Sequence, residues 1–265
     1  YIAAGMAVIK DPETGTRNMS YHRQQILGPD RSGFLICPRH ALRTYQKYQA
    51  LTQPMPVAMV IGVHPAILYA GGFTTRYGID ELSLAGGLLE DPVRLVKCET
   101  SDLEVPADAE LIIEGEILPD EMTEEGPFGE VTGGYAEEGS TEVFVVKAIT
   151  HRKDPIFYGM HSGAPMTDPQ SITGTCIEAA LFEHLSKVEG GMDLSDVRCL
   201  GVSGLMAVII KIRPKSAGQA KTALMAALSS PYLHPKLAIA IDEDMDIANL
   251  NQIFWSLTTR VDAAK

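Results

Sequence analysis

The periodicity of this 265-residue chain changes near residue 165, and that change limits the folds open to it. Before it, apolar residues come in strand-length runs separated by turn signals; after it, helix-length amphipathic stretches alternate with short β-rich runs. The first part reads as strands at 2–9, 18–23, 34–37, 55–63, 93–98, 111–116, 142–150 and 155–160, with short helices at 40–51, 65–70 and 81–88. Turns are marked by Asp11-Pro12-Glu13-Thr14-Gly15 and by Gly28-Pro29-Asp30-Arg31-Ser32-Gly33. Met55–Val63 carries no charge, as a strand covered on both faces does. The stretch 118–140 is rich in glycine and acidic residues, lacks periodicity and reads as a long loop, either functional or disordered. In the second part, helices are expected at 171–188, 217–228 and 247–259, with strands at 197–202, 206–212 and 237–241. The expected fold is α+β: a mostly β portion at 1–165, followed by a smaller α/β portion at 166–265.

Composition removes several function classes. The formal net charge is −12, so no nucleic-acid partner is expected, since that partner calls for a basic face. The longest apolar runs, 57–63 and 205–210, are far too short for a membrane span. No charged leader precedes an apolar segment, and the chain opens on Tyr1 directly into a strand, so an N-terminal portion of the natural protein is expected to precede it. Cys37, Cys98, Cys176 and Cys199 form no C-x-x-C pair and read as reduced thiols of a cytoplasmic protein. Walker A, dinucleotide, G-x-S-x-G and H-E-x-x-H patterns are all missing.

The segments that could carry chemistry are few. Glu125-Gly126-Pro127-Phe128-Gly129-Glu130 sets two carboxylates five apart between backbone-fixing residues. Carboxylates held close together can divide into a proton donor and an ionised partner, although charge alone equally describes an acidic surface loop. Asn18 through Arg23 offers an amide oxygen suited to a hard cation and an arginine suited to a carboxylate; alone, it also fits a polar strand. His40, after Arg39 at a helix entry, and Glu81 complete with Asn18 a mixed N/O set suited to manganese or a similar ion. Spacing does not bring these residues together, and His40 by itself also reads as a structural histidine.

Taken in order, these segments resemble the UbiD family of prenylated-flavin decarboxylases. The matching words are Asp11-Pro12-Glu13-Thr14-Gly15, Arg17-Asn18-Met19-Ser20-Tyr21-His22-Arg23-Gln24, Arg39-His40 and Glu81-Leu82-Ser83-Leu84-Ala85-Gly86. They continue through Leu95–Thr100, Val105-Pro106-Ala107, Glu114-Gly115-Glu116, Glu125–Glu130, Ile241–Ile247 and Trp255–Arg260. The resemblance implies a split β-barrel flavin-binding domain at 1–165 and an α/β domain at 166–265 that serves assembly, in a homo-oligomer. It implies prenylated FMN, Mn2+ or a similar divalent metal held by Asn18, His40 and Glu81, and K+ nearby. The catalytic network would be Arg23, Glu125 and Glu130, with Glu130 as the proton donor. Cofactor contacts would come from Asn18, Ser20, Tyr21, His22, Arg23, Arg39, His40 and Lys236, and Arg39 and His161 are candidates for the substrate pocket.

The implied activity is reversible, non-oxidative decarboxylation of an aromatic or α,β-unsaturated carboxylic acid, with a flavin prenyltransferase supplying the cofactor. A cofactor suits this chemistry, because loss of CO2 needs an electron sink that no side chain provides. Two alternatives stand beside it. One is an assembly subunit of a multi-subunit carboxylase, against which the intact Glu–Arg–Glu set counts. The other is a metal-dependent hydrolase that uses no flavin.

Overall fold

A computed structural model describes residues 1–136, 139–164, 166–188, 192–231 and 235–261. It divides into two compact units, Tyr1–Pro169 and Gln170–Lys265. Pro165, at the boundary expected from sequence, lies outside the described residues, as do Glu137 and Glu138 of the expected loop.

The first unit holds, in chain order, β1 (Met6–Lys10), β2 (Arg17–Tyr21), β3 (Gln24–Ile26), β4 (Arg31–Phe34), α1 (His40–Ala50), β5 (Met55–Ile61), α2 (Pro65–Gly72), α3 (Glu81–Leu89), β6 (Leu95–Lys97), β7 (Glu104–Pro106), β8 (Leu111–Glu125) and β9 (Gly139–His151). Seven of these strands make one sheet in the order β2-β1-β5-β8-β9-β4-β3, every pair antiparallel; β6 and β7 form a separate ribbon. β2 and β3 are consecutive in the chain and lie at opposite edges, with only His22 and Arg23 between them. A two-residue link can join opposite edges only if the sheet curls until they adjoin, forming a half-barrel. The segment ahead of β1 joins β3 across the closure: Ile2 N–H donates to Gln24 O at 2.8 Å and Gln24 N–H donates to Ile2 O at 3.0 Å.

Both faces of the central strands are covered. Ile9, Val57, Met59, Ile61, Ile113, Ile117 and Phe144 pack with Phe34 and with Ala41 and Tyr45 of α1. On the other face, Met6 and Met19 lie against Gly71 of α2, so close that a Cβ there would meet the Met6 sulfur at 2.5 Å. Two-sided burial accounts for the uncharged run of β5, each large side chain contributing about 1.5–3 kcal/mol.

The structure departs from the sequence reading in places. The stretch 118–140 is not one long loop: β8 runs through it to Glu125 and β9 begins at Gly139. These polar residues are strand because they pair, Thr123 with Thr141 and Glu125 with Gly139, and not because they bury an apolar face. Residues 155–160 were expected as a strand and have no regular structure, with Ile156 and Phe157 exposed. The expected strand at 34–37 begins earlier, at Arg31, and ends at Phe34.

The second unit contains α4 (Asp168–Ser186, its first two residues in the first unit), β10 (Asp193–Cys199), β11 (Ala207–Arg213), α5 (Gln219–Leu228), β12 (Leu237–Ile241) and α6 (Leu250–Thr259). β10 pairs antiparallel with β11, and β11 runs parallel to β12 through the α5 crossover. α4 and α5 cover one face through Ile177, Leu181, Leu185, Ala223 and Ala227. Ile253 of α6 packs with Ile209, Ile239 and Ile241 on the other. Residues 201 and 202, expected to end a strand, belong instead to a 3-10 turn at Gly201–Ser203, closed by Gly204. Among the described residues, no helix is long and apolar enough to cross a membrane.

Candidate active site

The site is built where the sheet closes on itself. Arg23 leaves the two-residue link between β2 and β3 and meets the end of β8 and the loop beyond it. Its Nε and Nη2 donate to Glu125 Oε1 and Oε2, both at 2.8 Å, and its Nη1 donates to Glu130 Oε1 at 2.5 Å. The Glu125 side chain is 7% exposed and that of Glu130 is 34% exposed, so one carboxylate is walled in and the other faces outward. Burial opposes charge on Arg23, but the hydrogen bonds to Glu125 and Glu130 outweigh it and raise its pKa.

The loop after β8 is shaped to present Glu130. Gly126 sits at φ 143°, a conformation that L side chains rarely adopt, before a cis Gly126–Pro127 bond. Gln25 grips the same residue, accepting from Gly126 N–H at 3.2 Å and donating to its carbonyl at 3.4 Å. Ala136 N–H donates to Phe128 O and Glu130 N–H to Gly134 O, closing a small hairpin. The Phe128 ring lies 4.5 Å from the Arg23 guanidinium carbon, a cation–π contact. Sequence reading had not singled out Gln25 or Phe128 as contacts, although Phe128 stands inside the glutamate word.

Asn18 and Glu81 are also together. Glu81 opens α3 after the Asp80 cap, and its carboxylate accepts from Met19 N–H at 2.7 Å, Asn18 Nδ2 at 3.0 Å and Thr75 Oγ1 at 3.1 Å. Only 2% exposed, it has its pKa raised by burial, which those hydrogen bonds offset in part. Among the described residues no lysine or arginine pairs with it. A buried carboxylate short of positive charge, beside an amide whose oxygen would face it if the amide turned over, is a donor set that fits a hard divalent cation. His40 is the first residue of α1; its ring meets Tyr77 edge-on at 5.3 Å, and burial together with Arg39 and Arg43 lowers its pKa. No cluster of three or more His, Cys, Asp or Glu residues arranged for a metal occurs among the described residues.

The other expected contact residues have defined places. Ser20 Oγ lies 3.0 Å from His22 Nε2 and 3.4 Å from Asn18 Oδ1. His22 is buried, stacked on Phe34, with Nδ1 2.9 Å from Leu35 O; burial pushes its pKa down to about 4 against the pull of that carbonyl. Tyr21 OH donates to Leu68 O at 3.0 Å, and Arg39 Nη1 donates to Thr74 Oγ1 at 2.6 Å. His161 is exposed, its backbone N–H on Asp168 Oδ2. Lys236 belongs to the second unit, where its N–H donates to Met206 O ahead of β12. A network absent from the sequence reading flanks His40: Asp11 accepts from Lys47 at 2.6 Å and from the Tyr77 hydroxyl, and the Arg43 guanidinium lies 4.0 Å from the Tyr77 ring centre.

Comparison with known proteins bears on this geometry. The 3-octaprenyl-4-hydroxybenzoate carboxy-lyase Rift-related domain of UbiD matches residues 1–165, and the C-terminal domain of the same family matches 170–265. Phenolic acid decarboxylase from Bacillus subtilis (strain 168) is 33% identical over 259 residues, covering 96% of this chain and 54% of the relative. Among solved structures, an evolved dimeric form of the UbiD-class enzyme HmfF from Pelotomaculum thermopropionicum, in complex with prFMN, superimposes with a TM-score of 0.93 at 37% identity, covering 100% of this chain and 61% of that one. Vanillic acid decarboxylase from Sedimentibacter hydroxybenzoicus, in its closed form, gives 0.89 at 31% identity, over 100% of this chain and 57% of that one. This chain thus spans a little over half the length of these relatives. Both family models, matched in order along nearly its whole length, place the chain in the UbiD family.

Proposed function

We propose that the protein carrying this chain is a non-oxidative carboxy-lyase that removes CO2 from an aromatic or α,β-unsaturated carboxylic acid, or adds it, on prenylated FMN with Mn2+ or a similar divalent metal. The observation that carries the reading is Arg23 gripping a walled-in carboxylate on one side and a solvent-facing one on the other. The relatives' names support the reaction class, and the prFMN held by HmfF supports the cofactor. When bound, the flavin supplies the electron sink for the carbon that loses CO2.

The side chains do the rest. Glu125 fixes the Arg23 fork through both oxygens, leaving Nη1 to steady Glu130. Glu130 holds the proton delivered to the carbon that loses CO2, a placement that contributes about 10²–10⁴-fold. In carboxylation the same residue takes the proton away. Asn18, His40 and Glu81 would hold the metal, with K+ beside it, and Ser20, Tyr21 and Arg39 would contact the cofactor. In this reading the curled sheet is the flavin-binding split barrel of residues 1–165. The domain of residues 166–265 serves a homo-oligomer, and a flavin prenyltransferase supplies the cofactor. The intact Glu–Arg–Glu set argues against a purely structural subunit.

The test is Glu130→Gln in protein co-produced with a flavin prenyltransferase and supplied with Mn2+ and K+. The variant should retain prenylated FMN by mass spectrometry of the released small molecule and lose at least about a hundredfold in CO2 release. Undiminished turnover would overturn the role of Glu130, and folded wild-type protein without flavin would overturn the cofactor.

A further inference from the structure

The hydrogen bonds around Asn18 have defined directions. Leu35 O only accepts, so His22 Nδ1, 2.9 Å away, carries the ring hydrogen. Burial keeps the imidazole neutral, which leaves Nε2 as a bare acceptor. Its partner at 3.0 Å is the Ser20 hydroxyl, which therefore spends its only hydrogen on His22. Toward Asn18, 3.4 Å away, Ser20 Oγ can then only accept.

This leaves the Asn18 amide with two acceptors and two orientations. With Nδ2 on Glu81 Oε1 at 3.0 Å, Oδ1 faces the Ser20 lone pairs. Turned over, Nδ2 meets the Ser20 acceptor and Oδ1 stands about 3.0 Å from Glu81 Oε1, where only a cation between the two oxygens makes the contact favourable. That spacing equals the edge between adjacent oxygens of an octahedral site, roughly 3 Å for metal–oxygen bonds of about 2.1 Å. The two orientations exchange the amide N and O at fixed atom positions, so no backbone movement is needed.

We propose that His22 is a positioning residue for the divalent cation: by accepting the Ser20 hydroxyl hydrogen bond, it makes Ser20 an acceptor for the Asn18 amide and so turns Asn18 Oδ1 toward Glu81. This rests on the metal reading above and adds to it a relay, His22 to Ser20 to Asn18, in which His22 never touches the ion. Remove the imidazole and Ser20 recovers its hydrogen, donates it to Asn18 Oδ1, and holds that oxygen away from the cation.

The experiment is Mn2+ titration of the purified protein, followed by calorimetry and by the electron paramagnetic resonance of free Mn2+, without reference to turnover. His22→Phe keeps a ring against Phe34 and abolishes the acceptor; it should bind Mn2+ about 10–100-fold more weakly. Ser20→Ala breaks the same relay with little change in packing and should show a loss of the same order. Adding His22→Phe to Ser20→Ala should cost little more, because residues acting in series are not additive. Wild-type affinity in Ser20→Ala, or losses that simply add, would overturn the relay. A wild-type protein that binds no Mn2+ would instead bring down the metal reading and the relay with it. Thermal unfolding of each variant shows whether His22→Phe is folded, and Ser20→Ala decides the matter if it is not.

Discussion

Arg23 and Glu125 meet fork to fork, two parallel hydrogen bonds of 2.8 Å joining residues 102 apart in the chain. A guanidinium makes this planar double contact and an ammonium does not. The pair therefore sets an angle as well as a charge, and the third donor of Arg23 is aimed at Glu130 as a result.

Arg23→Lys keeps the positive charge and loses the angle. Turnover should fall about a hundredfold, the usual effect of displacing a reacting group by an ångström. CO2 release under saturating substrate checks this, and a variant within threefold of wild type would show that charge alone suffices.

His22 makes folding stability depend on pH. Its folded pKa of about 4 lies below the ordinary 6.5, so between those values the unfolded chain binds a proton that the folded chain does not. Stability is therefore full above pH 6.5 and declines as pH falls toward 4, by about 3 kcal/mol in all. Urea unfolding at pH 7, 5.5 and 4.5 should show the decline in wild type and a shallower one in His22→Gln; equal slopes would exclude His22 as the source.

Asp11 ties the turn after β1 to α1 through Lys47 and to Tyr77. Burial opposes its charge, but Lys47, Tyr77 and two backbone N–H groups overcome this and hold its carboxyl far below the usual carboxylate range. Asp11→Asn should lower the urea midpoint at neutral pH, because it removes the charge that accepts from Lys47 and Tyr77. Because the folded pKa is depressed, this contribution is present above the ordinary value of 3.8 and fades as pH falls below it. The gap between variant and wild type, read from urea midpoints, should narrow in acid.

Gly115 sits at a register shift between β8 and β9, and a Cβ there would lie 2.1 Å from Val145 O. That oxygen is backbone and cannot swing aside. Gly115→Ala should therefore destabilise the sheet by about 3 kcal/mol or prevent folding. A denaturation midpoint equal to wild type would show that the strands can part there without penalty.

The sequence made some of this visible and hid the rest for physical reasons. β5 was plain because Val57, Met59 and Ile61 bury one face while Ala58 and Val60 bury the other. The outer half of β8 was hidden because Thr123, Glu124 and Glu125 owe their conformation to pairing with β9, and pairing leaves no apolar pattern. Residues 155–160 misled in the opposite way, since Ile156 and Phe157 are apolar and nevertheless exposed. Arg23, Glu125 and Glu130 could be picked out as words, but their meeting depends on a sheet whose two edges adjoin, and spacing along the chain carries no record of that. Thr75, Tyr77 and Gln25 hold partners already suspected, yet nothing local to them signals it.

The two-residue link between the edge strands acts as a ruler. Asn18 and Arg23 lie on one continuous stretch of backbone, five residues apart and roughly 16 Å if fully extended. One insertion or deletion in that stretch would reverse which side chains face inward and move Asn18 relative to the arginine. The tip of the hairpin beyond Glu130, at 132–135, has no such duty, because it meets solvent. Variation in length, whether through evolution or engineering, should therefore accumulate at that tip and be purged from residues 18–23, so that the span between the two ends of the site stays constant.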